Sequence, residues 1–590
     1  MMDLYVYTTF PSPAHLEFTR VLKLAPGVPS DPLSGAIFPM SVVGPIPFEA
    51  LSYVWGRGGR WDTIICDGKL LQITTSVATA LRRLRDTTQH RVIWTDQVCI
   101  NQKDPVERSQ QVRHMGSLYQ KASMVLVWLG NDEGQHASRA FALIKSLAAI
   151  RQDPLLLAQF QRKQLQGTMD WFPGEYWVSL GELFRQPWFD RKWVLQEIGT
   201  DAPSELLWGS ASLNWDHVSK AAALLKDYGY ALRRQYDLLV WKPWYMDKRF
   251  SPSSYCSKPK IFTYELHRAR WQLASDPRDH IFALLGHPSA QEGSDGVKVI
   301  EADYTKPVEE VYHDFAVRTL LKGHSLMVLN TVQHADAQLS TNLRTLPTWV
   351  PQWDSQLNLH NLLGDDTCVY NSSGGIRPNP KFIESNRVLL LDGLVIDTIS
   401  TTTNPFKTSD LTVDSPTLAS VWNSLPECEG GVFTTAKKYR GGEPALFAFL
   451  ETVSAIKKRK MQQPIAESRR LADGTDFLVK AFGTAYTIGD DVREMSRAGD
   501  CYEWMERASG GSKCRRFARG REGYYALCPP AAREGDELCL LLGGQTLFCL
   551  RPTKDSHLFV GECYVHGVMN GEALNMTDKG ELTQRTFMIR

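Results

Sequence analysis

The chain alternates between short runs in which nearly every position is apolar and longer stretches in which apolar residues recur every three or four. Ala50-Leu51-Ser52-Tyr53-Val54-Trp55 is a run of the first kind, stopped by Gly56, and Gly58-Gly59 place a loop after it. Thr63-Ile64-Ile65-Cys66 and Lys69-Leu70-Leu71-Gln72-Ile73 flank Asp67-Gly68, a dipeptide suited to the turn that matches strand twist, so this segment predicts a hairpin. Val77, Ala80, Leu81 and Leu84 sit at helical spacing between Ser76 and Arg85. Arg91-Val92-Ile93-Trp94 reads as another strand. A helix follows, with Asp104 as its cap, Pro105 at its first position and Glu107 where a capping-box acid belongs. Val112, Met115, Tyr119 and Ala122 form its apolar face. Met124 to Leu129 is an almost wholly apolar strand ending at Gly130. Strands apolar on both faces, separated by amphipathic helices, predict a parallel sheet covered on both sides. Ligands of such sheets sit at the C-terminal strand ends.

Further along, residues 137–166 predict one helix and Pro187 to Ile198 another, entered through its proline. Glu205 to Trp208 reads as the last strand of the sheet. Residues 215 to about 330 are mostly helical, including Ala221 to Leu225 and Val308 to Leu321. Leu346 to Trp353, with Pro347 and Pro351, predicts an extended boundary segment. Beyond it the chain turns β-rich. Leu538 to Leu542, Gly543-Gly544 and Gln545 to Leu550 predict a hairpin with a two-residue glycine turn. Leu558-Phe559-Val560 and Cys563-Tyr564-Val565 add strands. Three regions result: an α/β domain over 18–210, a helical extension packed on it over 211–355, and a β-rich region over 375–590.

Composition narrows the function classes. A chain of 590 residues has room for several domains, and 43 % hydrophobic with 22 % charged residues excludes a mainly disordered chain. Lys and Arg total 66 against 65 Asp and Glu, so no global basic field points to nucleic acid or an anionic membrane. The basic runs Lys457-Lys458-Arg459-Lys460 and Lys513 to Arg521 read as solvated faces. No apolar run reaches the ~18 residues of a membrane span. The first residues, Met1-Met2-Asp3-Leu4-Tyr5, lack the features of a signal peptide. Eleven scattered cysteines, with no Cys-x-x-Cys pair and no Cys/His cluster at zinc spacing, predict reduced thiols, a cytoplasmic setting and no metal.

Several ordered motifs then carry a resemblance. Phe48-Glu49-Ala50-Leu51-Ser52-Tyr53-Val54-Trp55-Gly56 resembles the opening motif of the fungal heterokaryon incompatibility (HET) domain. Trp94-Thr95-Asp96-Gln97-Val98-Cys99-Ile100-Asn101-Gln102 resembles its second, continued by Glu107 to Val112 and Tyr119 to Gly130. Pro187-Trp188-Phe189-Asp190-Arg191-Lys192-Trp193-Val194-Leu195-Gln196-Glu197 resembles its third. Thr95, Gln97 and Lys192 depart from the residues common there. Asp276 to Gly286, Asp303-Tyr304, Leu346 to Trp353 and Gly561 to Glu572 resemble downstream segments of such proteins. The resemblance implies non-self recognition and programmed cell death when unlike fungal cells fuse. It also implies a fold similar to Toll/interleukin-1 receptor (TIR) domains, a flavodoxin-like parallel sheet with flanking helices. Some TIR domains hydrolyse NAD with a glutamate in a Trp-Cys-x-x-Glu pattern. Trp193-Val194-Leu195-Gln196-Glu197 keeps that spacing, with Val194 in place of Cys.

On this reading Glu197 is the candidate catalytic carboxylate. It would stabilise the oxocarbenium-like ribose left when the nicotinamide–ribose bond breaks, with Trp193 one helical turn away holding it in place. Ser52, Tyr53, Trp55 and Gly56 at the first strand end, and Asp96 at the second, are candidate ligand contacts or, equally, strand core and loop-ordering groups. Asn101 and Gln102 read as satisfying loop backbone. Arg108 and Arg191 face either a pyrophosphate or surface carboxylates. Arg278 and Asp279 read as a structural pair, Cys99 as a buried small residue, and His114 as lacking metal partners. Two functions stay open. One is a signalling protein acting through self-association or protein partners; the other is an NAD hydrolase, with NAD as substrate and no resident cofactor.

Overall fold

Nine strands make the first sheet of the computed structural model: β1 (Phe18–Leu24), β2 (Ser34–Ser41), β3 (Glu49–Tyr53), β4 (Trp61–Cys66), β5 (Lys69–Thr74), β6 (Arg91–Trp94), β7 (Met124–Gly130), β8 (Ser204–Trp208) and β9 (Ala211–Asn214). The structure describes residues 2–590 except 9, 11–17, 43, 45, 57–60, 167–171, 252–260, 293–296, 324, 336–338, 340–344, 356–361, 363–369, 429–430 and 456–465. The Gly58-Gly59 loop and the Lys457–Lys460 run lie outside the described residues. The chain divides into two units, Met1–Phe262 with Trp271–Pro307, and Thr263–Arg270 with Val308–Arg590.

In the first unit the strands run β5-β4-β2-β1-β6-β3-β7-β8-β9. The three runs apolar on both faces are central and parallel, as their pattern predicts: Ala50 lies opposite both Trp94 and Val125, and Val127 opposite Leu206. Among the parallel strands β6-β3-β7-β8 the chain order is second, first, third, fourth. That is the doubly wound arrangement, with its switch point beside β3. The flanks are not parallel throughout. β1 pairs antiparallel with β6 and β2, β5 with β4, and β9 with β8. The sheet is therefore mixed, and β8 is followed by β9 rather than being last. The Asp67-Gly68 hairpin forms as expected, both residues taking positive φ (50° and 77°).

Helices cover the sheet: α1 (Thr75–Leu84), α2 (Asp96–Cys99), α3 (Pro105–Lys121), α4 (Ala137–Gln152), α5 (Pro154–Gln166), α6 (Gly174–Phe184), α7 (Val194–Ile198) and α8 (Trp215–Tyr228). Asp104 caps α3 by accepting from the N–H groups of Val106 and Glu107, and Val112, Met115, Tyr119 and Ala122 are all buried. Glu107 closes no capping box. It is buried against Arg20 of β1 (2.6 Å) and accepts from the Asn101 N–H (2.7 Å), because a buried guanidinium requires an anion. The single helix expected over 137–166 is two, since Pro154 cannot continue α4. The helix expected from Pro187 to Ile198 is also broken. Pro187–Asp190 is one tight turn, Arg191 is extended (φ −75°, ψ 138°), and α7 starts afterwards. The Leu273 N–H donates to the Asp190 carbonyl (2.6 Å) and the Lys192 N–H to the Leu273 carbonyl (2.9 Å), which draws this stretch out of helix. The first unit also holds a two-residue pair, β10 (Gln291–Glu292) with β11 (Val297–Lys298).

The second unit contains β12 (Lys381–Ile383), β13 (Val388–Thr402), β14 (Arg516–Gly520), β15 (Tyr525–Cys528), β16 (Glu537–Leu541), β17 (Leu547–Pro552), β18 (His557–Val565) and β19 (Arg585–Ile589). The antiparallel path β13-β14-β15-β18-β17-β16 returns to β13, closing a six-strand barrel. The expected glycine hairpin is β16–β17, but its loop is Leu542–Thr546. The expected turn at Gly543-Gly544 is displaced: the Gly543 N–H donates to the Ser373 hydroxyl, and Pro378 lies against that glycine. The two strands expected at 558–565 are one, β18. Leu346 to Trp353 forms turns rather than a strand. Between β13 and β14 the β-rich expectation gives way to helices, including Ala445–Ser454, Glu467–Phe482 and Cys501–Ser512. The Lys513–Arg521 run is no solvated face: Arg515 pairs with buried Glu562, Arg519 with Glu427, and Arg516 donates to the Thr403 and Pro530 carbonyls. Among the described residues no helix is long and apolar enough to cross a membrane, and no His/Cys/Asp/Glu group could hold a metal ion.

Asp279 ties α7 to the end of the first unit. Its carboxylate accepts from the Trp193 indole N–H (3.0 Å) and from the Tyr304 hydroxyl. Arg278 does not pair with it; its guanidinium binds Asp276 (2.7 Å) and the Tyr304 and Lys306 carbonyls. Burial pushes the Asp279 carboxyl up to about 6. Its contribution to stability is thus full below about pH 4 and is lost as pH rises through about 6, a change of about 3 kcal/mol. Asp279→Asn removes this dependence. The apparent Tm of the variant minus that of the natural chain should climb by several degrees between pH 4 and pH 7.5, and a flat difference would contradict the burial argument.

Candidate functional site

The site begins at the C-terminal end of β3, beside the switch point. The sheet buries Ser52 (1 % exposed), and its hydroxyl donates to Oε2 of Glu197 on α7. The Trp188 indole N–H donates to the same hydroxyl oxygen at 2.7 Å, so the serine proton is directed at the carboxylate. Glu197 is itself only 2 % exposed. One residue on, the Tyr53 hydroxyl reaches Asp96 Oδ1 (2.8 Å), and the Trp55 indole N–H reaches Asp96 Oδ2 (3.0 Å). Asp96 begins α2 just beyond β6. Its side chain also accepts from the Gln97 N–H, and its carbonyl from the Gln102 side chain (2.8 Å each).

Arg191 pairs with Glu197 and lies within the field of Asp96. Its Nη1 lies 3.5 Å from Glu197 Oε2 and donates to the Tyr53 carbonyl. Burial pushes the Glu197 carboxyl above its usual range; Arg191 and Ser52 oppose the rise, and the Asp96 charge adds to it. Burial likewise raises Asp96, against Arg191, Tyr53 and Trp55. For Arg191 burial pulls the pKa down, but Glu197 and Asp96 more than offset it and hold the guanidinium firmly charged. Two carboxylates and one guanidinium in a mostly dry site form a strong field for positive charge, with donors fixed in advance.

Of the residues singled out in the sequence, Ser52, Tyr53, Trp55, Asp96 and Glu197 come together. Gly56 (φ 87°) is exposed, three residues past the end of β3, and is not part of the cluster. Trp193 is near Glu197 only through the backbone, the Glu197 N–H donating to its carbonyl (3.2 Å); its indole is engaged by Asp279. The aromatic group beside the carboxylate is Trp188, whose role the sequence reading missed although it stands in the same motif. Arg108 stacks on the Tyr304 ring (3.8 Å) and contacts Asp276, apart from the cluster. Cys99 is buried, its thiol pushed up to about 12 by that burial, which suits packing and not nucleophilic attack. Burial lowers His114 on α3.

The comparisons with known proteins agree with this geometry. The family described as heterokaryon incompatibility protein (HET) matches residues 48–197, from the strand before Ser52 to Glu197 itself. The Het-6 β-barrel domain matches residues 493–584, which include β14 to β18. Heterokaryon incompatibility protein 6, OR allele, from Neurospora crassa is 32 % identical over 183 residues, covering 28 % of this chain. The match spans only a quarter (25 %) of that relative's length. No solved structure matches the chain. The parallel sheet, the motifs gathered around Ser52 and Glu197, and the closed barrel agree with these matches: the chain carries a HET domain over residues 48–197 and, in its second unit, a Het-6 β-barrel domain over residues 493–584.

Proposed function

We propose that this chain acts in fungal heterokaryon incompatibility, in the cytoplasm, triggering programmed cell death on non-self recognition through self-association or protein partners. The observation that carries the reading is the HET match over residues 48–197, whose three motifs converge on one hydrogen-bonded cluster at the strand ends. Expression of the full chain in a fungal host should arrest growth. Gly56 gives a graded test. Among the described residues nothing lies within 4 Å of a Cβ built there, so the positive φ is the main cost of a side chain. Asn tolerates that conformation and a β-branched residue does not. Gly56→Val should abolish the arrest and Gly56→Asn should keep most of it, at matched protein levels. Equal behaviour of the two variants, or normal growth with the natural chain well expressed, would overturn the corresponding claim.

A second reading is favoured by the burial of Glu197 and its fixed donors: a TIR-like hydrolase that cleaves the nicotinamide–ribose bond of NAD. The bonding pair would leave with nicotinamide, the Glu197 carboxylate would face the oxocarbenium-like ribose, and water would add to the sugar carbon and release one proton to solvent. Glu197→Gln removes the charge while keeping the shape. Nicotinamide release should fall at least ~100-fold, or about 3 kcal/mol of barrier. The variant also leaves Arg191 short of its anion, so rates are compared at equal folded concentration, judged by Tm. Equal release would remove Glu197 from the chemistry. No release by the natural chain would leave the interaction reading alone.

A further inference from the structure

We propose that the Arg191 guanidinium occupies the place of a ligand's positive charge, so that when this side chain swings outward the site accepts a planar organic cation between Glu197 and Asp96. The inference rests on reading Glu197 as the ligand-facing carboxylate. It adds what closes the site and what charge the ligand must carry.

The two carboxylates are held without Arg191. Glu197 is fixed by the Ser52 hydroxyl, which Trp188 orients, and Asp96 by Tyr53 and Trp55. Removal of the guanidinium therefore leaves two positioned carboxylates and takes away the charge that pairs with Glu197 and offsets Asp96. The Arg191 tip holds two partners, an ion pair to Glu197 at 3.5 Å, longer than a tight charge-assisted hydrogen bond, and a hydrogen bond to the Tyr53 carbonyl. Its backbone is fixed from both sides. Leu273 bonds the neighbours Asp190 and Lys192, and the Gln272 side chain donates to the Arg191 carbonyl (3.2 Å). Any movement is thus a rotation of the long side chain about a fixed root.

The route is outward. The Arg191 side chain is 18 % exposed and that of Glu197 only 3 %, while Asp96 and Trp55 are half-buried at the rim. A guanidinium is flat, delocalised and weakly hydrated, and the groups that match it in shape and charge are other flat cations, such as a pyridinium ring. Burial raises both carboxyls, so once Arg191 leaves they hold a proton more readily, and an entering planar cation competes with that protonation.

The test uses the full chain carrying Arg191→Ala, with Arg191→Gln as a bulkier neutral variant in case the first folds poorly. Three probes are used: methylguanidinium at low millimolar concentration, NAD in its oxidised pyridinium form, and NADH, which has the same adenine and pyrophosphate but a neutral ring. Methylguanidinium should raise the Tm of Arg191→Ala and not that of the natural chain. Either variant should bind oxidised NAD at least ~10-fold more tightly than the natural chain does, and at least ~10-fold more tightly than it binds NADH. A folded variant that ignores methylguanidinium, or binds NAD and NADH alike, overturns the proposal. Tighter, charge-selective binding without nicotinamide release upholds the cation site and removes the hydrolase reading, so the two failures are distinguishable.

Discussion

A carboxylate placed where water hardly reaches must be compensated, and the architecture around Glu197 follows from that requirement. Burial of an unpaired carboxylate costs several kcal/mol. The chain meets the need with Ser52 at a strand end and with Arg191 at a break between two short helical turns. The break is itself a product of packing, since the backbone of residues 190–192 bonds to residues 272–273. Without that bridge the stretch from Pro187 would continue as helix, and the guanidinium would leave from a different point on the surface.

The parts of this arrangement that were legible in the sequence are those fixed by local chemistry. β3, β6 and β7 announce themselves because a central parallel strand is apolar on both faces. The start of α3 is legible because Asp104 and Pro105 satisfy its first turn from within the segment. β1 and β2 were not called from their residues; β2 is mostly half-buried and shows no clean alternation. The break at Arg191 was hidden because its partners lie far along the chain. The choice between two tryptophans was hidden for the same reason. Spacing favours Trp193 as the partner of Glu197, but a buried aspartate from another segment takes its indole N–H, and Trp188 serves in its place.

Charged residues in the second unit teach the same lesson in reverse. A run of arginines looks like surface in a linear reading, yet Arg515 is 1 % exposed and paired with Glu562, which Asn330 and the Leu362 N–H also contact. A buried carboxylate turns one member of a basic run into an interior strut.

The long strand β13 has a consequence for how the second unit comes into being. It pairs with β14, β16 and β19, so its partners lie as far along the chain as Ile589. During synthesis β13 emerges well before β14, β16 and β19, and the helices between β13 and β14 are made while the strand has only the short β12 to pair with. A barrel closed by such distant pairings has high contact order; it folds late and slowly, and until then it offers open strand edges to other chains. The helices inserted after β13 have contacts of shorter range and can form in the interval, so the order of events on the ribosome is helix first and barrel last.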